Sequence, residues 1–117
     1  MGKLSTHVLD TTAGKPGAGV KVALYEVLDG GRVLLKTDMT NADGRCASPL
    51  LEGAAMKTGK FELVFDAGAY FTAQGAVLPQ PPFIDQVTIA FGMSDATQNY
   101  HVPLVVSPWA YSTYRGS

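Results

Sequence analysis

The chain has 117 residues, the length of one domain with one core, and its 46% apolar against 16% charged residues exclude an intrinsically disordered polymer. Nine Lys and Arg against ten Asp and Glu leave a formal charge of −1, so the electrostatic footprint of a nucleic-acid binder is missing. Cys46, the single cysteine, excludes an intrachain disulfide and a zinc ribbon and suits a reducing compartment.

Residues 1–10 carry Lys3, His7 and Asp10 and contain no stretch like a signal peptide. No run approaches the roughly 18 apolar residues of a membrane span. These features predict a soluble, cytoplasmic single domain over residues 1–117. So low a charged fraction in a small domain also predicts that another subunit covers part of its outer surface.

In chain order, residues 4–9 read as a first strand, ended by the Gly14-Lys15-Pro16-Gly17 loop. Val20, Val22 and Leu24 alternate with Lys21, Ala23 and Tyr25, the period of a half-buried strand. Asp29-Gly30-Gly31 turns the chain into a hairpin partner around Val33–Thr37, and Asn41-Ala42-Asp43-Gly44 turns it again, delivering Arg45. Phe61, Leu63 and Phe65 mark another strand, and residues 67–75 predict a short helix stopped by Gly75. Val87, Ile89 and Phe91 repeat the two-residue period, as do Tyr100, Val102, Leu104 and Val106, and residues 110–115 suit a final strand. The pattern predicts an all-β fold, an antiparallel sandwich of about eight short strands.

The alternation also places the two histidines. In the first strand Ser5, His7 and Leu9 share the face opposite Leu4, Thr6 and Val8; in the later strand His101 lies opposite the apolar row, with Pro103 and Val105. Both imidazoles therefore point away from the core, and they meet only if their strands are neighbours, which spacing leaves open. Arg45 is either a solvated residue after a tight turn or a guanidinium held at a loop-framed site. The segment from Asn99 to Ser117 carries one charged side chain, Arg115, and an edge strand so poor in charge predicts pairing with another subunit. The GKPGAG stretch at residues 14–19 lacks the ending of a phosphate-binding loop, and no Gly-X-Ser-X-Gly elbow or His-Glu-X-X-His pair occurs. With two histidines and no carboxylate placed to join them, no metal site is expected.

Four segments together resemble the 5-hydroxyisourate hydrolases, the transthyretin-like or transthyretin-related family. They are Leu4-Ser5-Thr6-His7-Val8-Leu9-Asp10, Thr40-Asn41-Ala42-Asp43-Gly44-Arg45, Tyr100-His101-Val102-Pro103-Leu104, and Ser107-Pro108-Trp109 leading to the closing Tyr114-Arg115-Gly116-Ser117. The resemblance covers nearly the whole chain. It implies a sandwich of two four-stranded sheets with one short helix, and a homotetramer built as a dimer of dimers with active sites at the dimer–dimer interface. It further implies hydrolysis of 5-hydroxyisourate without a cofactor. His7, Arg45, His101 and Ser117 would be catalytic, with Tyr114, Arg115 and Gly116 binding substrate. Transthyretin, the hormone carrier on the same fold, lacks the first-strand histidine and the Tyr-Arg-Gly-Ser ending, which favours the enzyme. A small-molecule carrier and a scaffold or adhesion sandwich remain the alternatives.

Overall fold

The computed structural model describes residues 2–117. The strands are β1 (Lys3–Ser5), β2 (Val8–Asp10), β3 (Lys15–Pro16), β4 (Lys21–Leu28), β5 (Gly31–Met39), β6 (Leu51–Glu52), β7 (Gly59–Phe65), β8 (Val87–Met93), β9 (Tyr100–His101), β10 (Leu104–Val106) and β11 (Tyr111–Ser112). A 3-10 turn (Gly53–Ala55) precedes β7, and the helix α1 (Ala67–Ala73) joins β7 to β8.

One layer is the antiparallel sheet β5-β4-β7-β8. Its alternating apolar positions become an inner face: Val22, Leu24, Phe61, Leu63, Phe65 and Val87 are all buried. Taking each such side chain out of water stabilises the fold by about 1.5–3 kcal/mol.

The opposite layer is built from β6-β1-β9 and β11-β10-β2-β3. These two pieces are continuous, because one parallel register runs through both: Leu4 faces Tyr100, Ser5 faces His101, Val8 faces Leu104 and Leu9 faces Val105. Ladder bonds cross the gap, from Val102 N to the Ser5 carbonyl at 2.9 Å and from Leu104 N to the His7 carbonyl at 2.8 Å. Pro103, with no N–H to give, is where regular strand geometry lapses. Leu4, Val8, Tyr100, Val102, Leu104 and Val106 form this layer's buried face.

The architecture is the expected sandwich, dominated by antiparallel pairs, and the two histidine strands are neighbours. They run parallel to each other, which the spacing did not reveal. The last strand is shorter than residues 110–115: β11 ends at Ser112, Thr113 Oγ1 then donates to the Pro103 carbonyl at 2.7 Å, and Gly116 bridges back to His101.

Helix α1 buries Ala67, Gly68, Tyr70 and Phe71, and Gly75, at φ +92°, ends the segment as expected. The Tyr70 hydroxyl donates to Asp10 Oδ2 at 2.7 Å, while Thr12 N and Ala13 N donate to Asp10 Oδ1 at 3.0 and 3.1 Å. Asp10 is thus a buried carboxylate with both oxygens satisfied, and it pins the helix to β2. Burial, reinforced by the hydrogen bond to Asp10, pushes the Tyr70 phenol up to about 12.

Candidate functional site

The parallel register sets the site. Because Ser5 lies level with His101, His7 follows two residues later on the same outward face of the sheet. The imidazole rings of His7 and His101 lie with centroids 6.5 Å apart and planes at 39°. That separation is too wide for a direct hydrogen bond between the rings and suits a single bridging water or substrate atom.

Each imidazole has a protein partner. His7 Nε2 is 2.9 Å from the Asp43 carbonyl, which can only accept, so Nε2 carries a proton. His101 Nδ1 is 2.9 Å from Ser5 Oγ, so Nε2 is the ring nitrogen not engaged by Ser5. Burial, then the positive Arg45 and then His7, hold His101 below the ordinary imidazole value, which favours its neutral form.

Arg45 arrives beside His7 through the turn predicted for it. Asn41 Oδ1 accepts from Asp43 N at 2.9 Å and Arg45 N at 3.2 Å, and Val8 N donates to the Gly44 carbonyl at 2.8 Å. Gly44 sits at φ +75°, and a Cβ there would lie 2.4 Å from the Val8 carbonyl oxygen, so the position demands glycine. The turn therefore aims Arg45 and presents the Asp43 carbonyl to His7 with the same residues. His7 and Arg45 are bridge partners.

The C-terminal residues divide. Gly116 exchanges backbone bonds with His101, its N–H donating at 2.7 Å and its carbonyl accepting at 3.2 Å. A Cβ on Gly116 would stand 3.0–3.4 Å from the Cβ, Cγ and Cδ2 atoms of His101, so the glycine lies flat against the imidazole. Arg115 turns to the loop that leads into β9: its Nη2 donates to Gln98 Oε1 at 3.0 Å and to the Asn99 carbonyl at 3.2 Å, and its guanidinium lies 4.7 Å from the centre of the Tyr100 ring. Tyr114 and Ser117 are exposed.

His7, Arg45, His101 and Gly116 are therefore brought together, while Tyr114, Arg115 and Ser117 stand beside them without touching either imidazole through a hydrogen bond. Sequence reasoning gave no role to Ser5 or to the Asp43 carbonyl. Ser5 was already on the histidine face by alternation, but its bond to His101 depends on the register. Among the described residues, no three of His, Cys, Asp and Glu come close enough to hold a metal. A hollow of about 690 Å³ on the other layer, lined by residues such as Lys21, Tyr25 and Asp66, contains no histidine.

Residues 4–116 match the model of the HIUase/Transthyretin family. The chain belongs to that family. A 5-hydroxyisourate hydrolase of Ralstonia nicotianae is 55% identical over 117 residues, spanning the whole of both chains. The structure of Klebsiella pneumoniae 5-hydroxyisourate hydrolase superposes with a TM-score of 0.81 at 32% identity and covers 100% of each chain. Sea bream transthyretin in complex with thyroxine superposes with a TM-score of 0.87, at 27% identity over 97% of this chain and 94% of its own. Proteins named as carrier and as hydrolase thus share this backbone, so the fold by itself does not choose between them.

Proposed function

We infer that this protein hydrolyses 5-hydroxyisourate to 2-oxo-4-hydroxy-4-carboxy-5-ureidoimidazoline, a step of urate degradation. The observation that carries the reading is the imidazole pair at 6.5 Å with Arg45 beside it, in a chain 55% identical along its full length to a protein named for that activity. The reaction needs a base or orienting group for water, an acid for the leaving nitrogen, and a positive partner for the carbonyl oxygen. His101, held toward its neutral form, and His7 handle the water and the proton between them, a contribution of about 10²–10⁴ in rate. Arg45 anchors the ring and offsets developing charge, worth on the order of 3 kcal/mol. Gly116 bounds the pocket at His101, and Arg115 holds that tail in place through Gln98 and Asn99. Tyr114 walls the substrate, and Ser117 supplies its hydroxyl as a hydrogen-bonding group.

The enzyme acts as a homotetramer, a dimer of dimers, with its sites where dimers meet. Supporting this are the charge-poor strand β11 at a sheet edge and the exposed aromatic residues Phe83, Trp109, Tyr111 and Tyr114. The unpaired Cys46 supports a reducing, cytoplasmic setting.

Ultraviolet decay of freshly generated 5-hydroxyisourate tests the activity. The protein accelerates the decay, and His101→Ala removes most of that acceleration. A wild-type protein that leaves the decay unchanged while binding thyroxine is a carrier.

A further inference from the structure

Next to the imidazole pair lies a recess of about 180 Å³ whose lining includes Lys3, Ser5, Arg45, Cys46 and Ser48, and no Asp or Glu. A lysine, an arginine and the hydroxyls of Ser5 and Ser48 make it a cluster of donors, while the hydroxyl of Thr6, also in the lining, is already given to the Val102 carbonyl at 2.7 Å. Cys46 adds no negative charge: burial, with Asp38 beside the thiol, pushes it up to about 11, so it stays protonated at neutral pH.

The recess adjoins the site already described. Lys3, Ser5 and His7 share one face of the first strand segment. Ser5 belongs both to the recess and, through its 2.9 Å contact, to His101. Arg45 belongs both to the recess and to the bridge with His7.

The chemistry of ring opening says what such a cluster would receive. Water oxygen joins the ring carbonyl carbon, the carbon–nitrogen bond breaks, and the nitrogen takes a proton. The new carboxylic acid then loses its own proton to solvent at neutral pH. A full negative charge on two acceptor oxygens appears where an uncharged carbonyl stood.

We propose that the recess is the carboxylate subsite of the reaction: Lys3, Arg45 and the hydroxyls of Ser5 and Ser48 receive the carboxylate formed at the reacting carbon. The assignment rests on the hydrolase reading given above. It also assigns the His101 tautomer, because a Ser5 hydroxyl that donates to the carboxylate must accept from His101 Nδ1–H. The Nε2 lone pair is then free to act on water. Lys3 and Ser48 become binding residues for the end of the substrate that changes charge.

Orotate and uracil test the subsite, since they share a six-membered ring and differ by one carboxylate. Their affinities are measured directly by calorimetry or ligand-observed NMR, without turnover. Wild-type protein binds orotate at least about tenfold more tightly than uracil, the gain expected of charge-assisted hydrogen bonds. Lys3→Gln combined with Ser48→Ala narrows that ratio to about two, with an unchanged circular dichroism spectrum and uracil affinity, because both residues are exposed. Added salt narrows the wild-type ratio too. Equal affinity for the two ligands, binding of neither, or a ratio untouched in the double variant overturns the subsite. Active wild-type protein without orotate preference ends only the subsite; orotate preference without hydrolysis ends only the assigned reaction.

Discussion

His101 shows how environment tilts an ordinary imidazole toward its neutral form. Its neutral form is favoured by burial, by the positive Arg45 and by His7, so it holds back from protonation as pH falls through the usual imidazole range of about 6.5. The acid limb of kcat/KM should therefore lie below that value. Arg45→Met removes a positive neighbour, makes imidazolium easier to form and raises the His101 pKa, so the limb moves to higher pH. It also lowers kcat/KM by about 10²–10³ through the lost anchor. A pH–rate profile or an NMR titration of the ring checks the direction, and a limb that stays put or moves down removes Arg45 from the electrostatics of His101. Both histidines, Arg45 and the closing tetrapeptide could be read directly from the sequence. The Ser5 hydroxyl and Asp43 carbonyl could not, since each acts only through a partner reached by folding.

At the level of elements, the alternation of Leu4, Thr6 and Val8 against Ser5, His7 and Leu9 was legible because successive side chains on a strand point to opposite faces. The Asn41–Gly44 turn was legible too, since its Asn and Gly carry the turn chemistry and the positive φ. The anchoring of α1 was not. Asp10 looks like a strand-end polar residue, yet Tyr70, sixty positions along the chain, donates to it at 2.7 Å. Tyr70→Phe leaves a buried Asp10 oxygen without its donor and should cost about 1–3 kcal/mol. Urea unfolding at neutral pH measures this, with the midpoint falling and the slope unchanged. A loss of only a few tenths of a kcal/mol would show that water replaces the phenol.

For the whole molecule, the sandwich leaves one outer face carrying the imidazole pair, Arg45 and the donor-lined recess, with aromatic side chains exposed beside the C-terminal strand. A surface of that composition fits a face that meets another subunit. Light scattering coupled to gel filtration should report four chains per particle at micromolar concentration. A monomer of full hydrolytic activity would show that one chain completes the site.

The sequence alone determined which face of each strand is apolar and which residues stand opposite the core, because side-chain direction follows from local backbone geometry. It also carried the turn that delivers Arg45. Only the tertiary structure decided that the strands of His7 and His101 run side by side in parallel, in a register that sets Ser5 against His101. Such pairings join residues 96 positions apart. They are selected when two whole sheets bury their apolar faces against each other, a collective choice with no local signature in the chain.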